Sequence, residues 1–155
     1  MSASADSARL VVDVASGAGR LPVARDRVAD VARGVLRAER VGDAMLSISF
    51  VTRRAIAALN REHLGHSGAT DVITFALGRP AGDGPVVGDV YICPDVAREN
   101  ARQHGVPVRE ELLRLVVHGV LHTLGHEHPD GVARTASPMW KRQERYVTRL
   151  VRGSK

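Results

Sequence analysis

Three of the seven histidines fall in a pattern that can hold a metal ion: His118, His122 and His128, in the segment His118-Gly-Val-Leu-His122-Thr-Leu-Gly125-His-Glu-His128. On a helix, side chains four apart stack on one face, so the imidazoles of His118 and His122 can aim at one point. Gly125 can adopt the left-handed conformation that ends a helix, and the chain behind it can turn back to present His128. Three neutral imidazoles leave the fourth tetrahedral position to water, the arrangement of a catalytic rather than a structural zinc site. The ion expected is Zn2+, one per chain, although nickel, copper and iron also accept imidazole. A lone histidine on an apolar helix is usually a core residue with its polar atoms satisfied. Two at this spacing, followed by a glycine stop and a third, fit a metal site better. His126 competes with His128 for the third place but would need a sharper reversal of the chain. His63, His66 and His104 read as surface residues near helix ends.

Such a site suits hydrolysis. The spacing resembles that of metzincin proteases, which place a glutamate directly after the first histidine as general base. Here that residue is Gly119. Glu127 is the nearest acid in sequence and sits on the turn, so no general base is assigned, and a zinc metalloprotease-like hydrolase becomes the alternative enzyme reading. A non-catalytic factor with a structural metal would need a fourth protein ligand. Cys93 is the only thiol, and it follows a strand and precedes Pro94, well outside the motif.

The elements that must position these residues are legible from periodicity. Leu10, Val12 and Val14 alternate as in a strand. Pro22 suits the first turn of a helix whose apolar stripe is Val28, Val31 and Val35. In residues 45–51, Leu46, Ile48 and Phe50 point one way and Ser47 and Ser49 the other. Thr52 is a good N-cap for a helix to about His63, with Ile56 and Leu59 inward and Gly65 as its stop. Val72–Leu77 and Val86–Ile92 read as two strands, paired antiparallel across the glycine- and proline-rich residues 78–85. A short helix runs from Asp95 to His104. Pro107 opens the next, which is apolar almost all round from Leu112 to Leu124 and so must be buried. A final helix, from about Pro138 to Val151, has Met139, Gln143, Val147 and Leu150 on one side and Arg142, Arg145, Arg149 and Arg152 on another. The sum is an α+β single domain over residues 1–155: about four strands in a mixed sheet, and about five helices around a buried central helix that carries the metal motif. Residues 1–7 and 152–155 are expected to be tails.

Composition limits the remaining options. At 155 residues, 44% hydrophobic and 25% charged, the chain can bury a proper core. No apolar run reaches the roughly 18 residues of a membrane span, and the first residues lack the basic start and apolar stretch of a signal peptide. One cysteine excludes an internal disulfide and points to a reducing, cytoplasmic location. The net charge is +5 and the isoelectric point about 10.3, which favours an anionic partner. All basic residues but Lys141 and Lys155 are arginine, however, a bias that genome composition alone can produce. Arg98, Arg102, Arg142 and Arg145 are the candidate phosphate contacts, Arg149 and Arg152 extending the last two. A solvated helix face is the plainer reading of that stripe. Aromatics at 3% argue against a base-stacking sheet.

Several further blocks, in order along the chain, carry a resemblance. Leu59-Asn60 is followed by Thr70-Asp71-Val-Ile-Thr-Phe75 and Gly88-Asp89-Val-Tyr-Ile92; then come the histidine motif, Met139 and Gln143-Glu144. From about residue 9 to 150 the chain resembles the YbeY endoribonucleases, bacterial rRNA maturation factors. The resemblance implies a metal-dependent endoribonuclease specific for single-stranded RNA. It also implies action on the 3′ end of small-subunit rRNA, a part in ribosome quality control, and His118, His122 and His128 as the metal ligands. Two positions depart from the family pattern. Where many members have an arginine between the Leu-Asn and Thr-Asp elements, this chain has Leu64; Arg61, His63 or His66 are the substitutes available nearby. An aspartate often precedes the third histidine, where Glu127 stands here.

Overall fold

The computed structural model describes residues 9–129 and 131–153. The expected N-terminal tail lies outside them. Strand β1 (Leu10–Ser16) leads through helix α1 (Arg25–Ala38) to β2 (Ala44–Phe50) and α2 (Arg53–Leu64). Strands β3 (Val72–Ala76) and β4 (Val86–Ile92) follow, then α3 (Pro94–His104), α4 (Val108–Thr123) and α5 (Pro138–Tyr146).

The four strands form one mixed sheet in the order β1-β2-β4-β3. β1 and β4 run parallel to β2, whereas β3 runs antiparallel to β4, as the loop of residues 78–85 implies. The alternation read from β2 holds: Ala44, Leu46, Ile48 and Phe50 are buried and Ser47 and Ser49 are only partly so. Register places Leu46 beside Val12 and Gly88, and Ile48 beside Val14 and Val90, so one continuous apolar face is built from three strands. Helices α1 and α4 pack on the elements of this face. A smaller cluster of Ile56, Ile73 and Cys93, with Phe75 and Tyr91 packed against it, joins α2 to the sheet.

The all-round apolar segment is the core of the fold. In α4, every residue from Glu111 to Leu121 is buried, with α1, α3, β3 and β4 among its neighbours. Thr52 caps α2 through its side chain, which accepts from the Ala55 amide at 3.1 Å, and Gly65 ends the helix in the left-handed region.

Three boundaries differ from those the sequence predicts. Helix α1 starts at Arg25, with Ala24 as N-cap, so Pro22 lies in the turn before it. A 3-10 segment, Gly131–Ala136, precedes α5 and carries too few apolar positions to be seen by periodicity. The last helix widens into a π turn over Val147–Arg152. Arg152 is not part of a loose tail: its Nε and Nη2 donate to Glu110 at 2.8 and 3.1 Å and tie the chain end to the start of α4.

Candidate metal centre

His118 and His122 leave α4 one turn apart, and their ring centroids lie 4.6 Å from each other. Gly125, at φ +95°, supplies the left-handed turn that a side chain would resist. The reversal brings the His128 ring within 5.1 Å of His118 and 5.0 Å of His122. One potential ligand atom from each ring lies within 4.8 Å of the others. A zinc-like ion at 2.0–2.1 Å from each nitrogen would hold them about 3.4 Å apart, within reach of small ring rotations. The three-histidine group can therefore take a metal ion.

The hydrogen bonds prepare the rings for that use. His118 Nδ1 donates to Gln143 Oε1 at 2.7 Å, and His128 Nδ1 donates to the Pro129 carbonyl at 3.0 Å. An acceptor on Nδ1 keeps the proton there and leaves the Nε2 lone pair for an ion. The backbone of His126 hydrogen-bonds the His122 ring. Burial, before any other cause, pushes the His118 imidazole down to about 3, with the charges of Arg134 and the other two histidines adding to the effect against the Gln143 bond. His122 is lowered as well, first by burial and then by His128. Neutral rings are what a cation requires.

His126 lies outside the three-histidine group and makes a bond of its own. Its Nε2 lies 2.7 Å from Glu39 Oε1, where Glu39 also accepts from Arg142 Nη1 at 2.8 Å and from the Tyr146 hydroxyl. Alternate residues of the turn thus serve opposite purposes, His126 anchoring it to α1 and His128 closing the site. Cys93 is fully buried in the Ile56–Ile73 cluster, outside the histidine group. His63 packs edge-on to Phe75 at 5.3 Å and is exposed, like His66 and His104.

Gly119 has a steric reason. A Cβ there would stand 2.5 Å from Val90 Cγ1 and 3.0 Å from Cγ2. One turn on, Thr123 makes the complementary contact, its Cγ2 only 2.3 Å from where a Cβ of Gly88 would be. Helix α4 and strand β4 approach so closely that a glutamate after the first histidine has no room, which removes the protease arrangement on packing grounds.

The histidines line a cleft of about 400 Å³ whose other walls include Leu64, Thr70, Asp71, Thr74, Glu127 and Arg134. Asp71 is already engaged: Oδ2 accepts from Asn100 at 3.0 Å and Oδ1 from Thr70 at 3.4 Å. The four arginines singled out in the sequence are not in this lining. Arg98 pairs with Asp95 at 2.8 Å, Arg142 pairs with Glu39, and Arg102 and Arg145 are exposed elsewhere. Arg134 and Gln143 are the site residues that the sequence reading did not assign. Gln143 had a signal, an amide on the apolar side of α5, whereas Arg134 lies in the aperiodic 3-10 segment and had none.

A family model described as Endoribonuclease YbeY matches residues 18–151 of this chain. The chain belongs to the YbeY endoribonuclease family. Endoribonuclease YbeY of Frankia alni is 38% identical over 151 residues, 89% of this chain and 81% of that relative. Its counterpart in a Thermotoga species is 34% identical over 109 residues, 70% of this chain and 69% of the relative. A third, from an Anaeromyxobacter species, is 50% identical over 86 residues, 56% of this chain but only 45% of the relative's length. The solution structure of TM1509 from Thermotoga maritima superposes with a TM-score of 0.58 at 26% identity, covering 90% of this chain and 89% of that one.

The blocks that carried the YbeY resemblance converge on the site. Asn60 donates to the Gly68 carbonyl at 3.0 Å and shapes the loop into β3. Gly88 admits Thr123, Gln143 orients His118, and Glu144 accepts from Arg114 Nε at 2.9 Å. Leu64 ends α2 as an exposed apolar side chain on the cleft wall.

Proposed function

We propose that this protein is a zinc-dependent endoribonuclease that cleaves single-stranded RNA at the three-histidine cleft, with His118, His122 and His128 as metal ligands. The observation that carries the reading is the convergence of three imidazoles, two with Nδ1 already donating, on one point of an open cleft. The names of its relatives, Endoribonuclease YbeY, support RNA as the substrate. We extend the proposal to rRNA, in particular the 3′ end of the small-subunit rRNA, to ribosome quality control with the ribosome or its assembly factors as partners, and to the cytoplasm as the compartment. No helix among the described residues is long and apolar enough to cross a membrane.

A zinc-like ion held by His118, His122 and His128 would supply Lewis acidity toward a phosphoryl oxygen and toward water. The chain's own residues do the positioning. His118 is held by Gln143 and His128 by the turn that His126 and Glu39 anchor. Glu127 lies in the cleft wall as an exposed carboxylate without a fixed partner role. Arg98, Arg102, Arg142 and Arg145 would touch RNA only beyond the cleft, through salt-sensitive phosphate contacts.

Cleavage of single-stranded and duplex RNA by the zinc-loaded protein, beside His118→Ala and His122→Ala, tests this. Loss of cleavage in both variants with the fold retained is expected. Cleavage that continues unchanged in either would overturn the assignment, and metal-dependent cleavage of casein would revive the protease reading.

A further inference from the structure

We propose that Arg134 is the residue that grips the RNA phosphate at the cleavage site, presented from the 3-10 segment Gly131–Ala136 as a preset guanidinium fork; this rests on the ribonuclease reading above. Arg134 is the one arginine or lysine among the described residues that line the histidine cleft. It also lines a second cavity, of about 510 Å³, which shares His118 with the first, so it stands where the two meet. A phosphodiester brought to the three histidines would lie in the cleft that this side chain lines.

Both ends of Arg134 are fixed before any ligand arrives. Its carbonyl accepts from the Ser137 hydroxyl at 2.7 Å and from the Ser137 amide at 3.1 Å. The same hydroxyl caps α5 by accepting from the Trp140 amide at 3.2 Å. The guanidinium then lies over the Trp140 ring, 5.6 Å from its centroid, a contact that favours one orientation of the plane. Helix α5 therefore sets both the backbone and the head group of Arg134, and the same helix supplies Gln143 to His118.

Among the described residues this arginine has no carboxylate partner. Its Nε is buried and makes no hydrogen bond. No described carboxylate forms an ion pair with it, while Arg33, Arg53, Arg98, Arg114, Arg142 and Arg152 each have one. A guanidinium that no carboxylate neutralises keeps its charge and its outer donors available to an anionic ligand. The acid Asp71 of the cleft does not fill the role, since it is held by Asn100 and Thr70. A guanidinium matches the paired oxygens of a phosphodiester, which a single ammonium does not.

The test compares the zinc-loaded wild type with Arg134→Met and Arg134→Lys, reading metal stoichiometry, far-ultraviolet circular dichroism, and kcat and KM on a single-stranded RNA oligonucleotide. We expect both variants to keep one metal and the fold. Arg134→Met should lose roughly 100-fold or more in kcat, the usual loss on removing one donor to a developing negative charge, and Arg134→Lys should recover part of it. Trp140, the single tryptophan, gives a second readout that needs no turnover. Titration with a 2′-O-methyl oligonucleotide should change its fluorescence in the wild type and leave Arg134→Met unchanged. Wild-type kcat/KM in Arg134→Met, or an equal loss of metal and fold in both variants, would overturn the proposal. If His118→Ala cleaves normally, the assignment of cleavage to the three-histidine cleft fails on its own, and the fluorescence titration still decides whether Arg134 binds the phosphate chain.

Discussion

His118 Nδ1 donates to Gln143 Oε1 across 2.7 Å, between the buried helix α4 and the helix that follows the metal motif. The direction of this bond is fixed from outside. Gln143 Nε2 donates to Glu144 Oε2 at 3.0 Å, and a carboxylate can only accept, so the amide must turn its oxygen to the imidazole. Glu144 is in turn gripped by Arg114 through Nε at 2.9 Å and Nη2 at 3.2 Å. A line of charge-assisted bonds thus runs from Arg114 to the tautomer of His118.

Replacing Gln143 by leucine should keep the volume and remove the orienting acceptor. Metal affinity is expected to fall roughly 10- to 100-fold, the usual effect of losing such a partner. Competition with a chromophoric chelator measures it. Affinity equal to the wild type would mean that packing alone holds the ring.

The close approach at Gly119 predicts a packing defect from the smallest possible change. Gly119→Ala drives a methyl against Val90 and should cost about 1–3 kcal/mol in urea unfolding. Adding Val90→Ala should restore much of that loss, because the two side chains compete for one space. Failure of the second substitution to compensate would place the strain elsewhere.

The depressed imidazoles make the metal-free protein sensitive to acid. His118 stays neutral in the folded chain down to about 3, whereas the unfolded chain protonates near 6.5. Between those values the unfolded state binds the extra proton, so this contribution is complete above 6.5 and is lost as pH falls, by about 1.4 kcal/mol per pH unit for this one group. His122 acts in the same direction. Glu111, raised by burial, acts in the opposite one, so the comparison should be made against His118→Asn, which shares every carboxylate. The melting temperature of the apo wild type should drop more steeply than that of the variant from pH 6.5 to 5. Parallel curves would contradict this account. Zinc should raise the melting point, and less so as acid competes for the ligands.

Glu39 links the end of α1 to the turn that carries His128, and its carboxyl is held below the usual range by Tyr146, His126 and Arg142 against the opposing effect of burial. Glu39→Ala should destabilise the protein by about 1–3 kcal/mol, since it strips partners from three polar groups. It should also speed metal release by freeing the turn between Gly125 and His128. Stopped-flow transfer of the ion to a chelator would show the change, and an unaltered rate would mean that the turn holds its shape without α1.

Most of the frame could be read directly from the sequence, because local physics dominates it. The period of two in Leu46, Ile48 and Phe50, the cap at Thr52 and the glycine stops at Gly65 and Gly125 each act within a few residues. The spacing of His118, His122 and His128 also belongs to a single helix and its turn. Tertiary structure decided what depends on contacts between distant elements. The sequence favours His128 over His126 only by the sharpness of the turn, and it does not show that Glu39, 87 residues away, holds the latter. Gly119 looks like a missing glutamate until β4 is seen to occupy the space. Arg134 is one arginine among many until Trp140 and the cleft wall are placed around it. Spacing along the chain determines which side chains can converge on an ion, whereas only packing between elements determines which polar groups are left without a partner to bind a substrate.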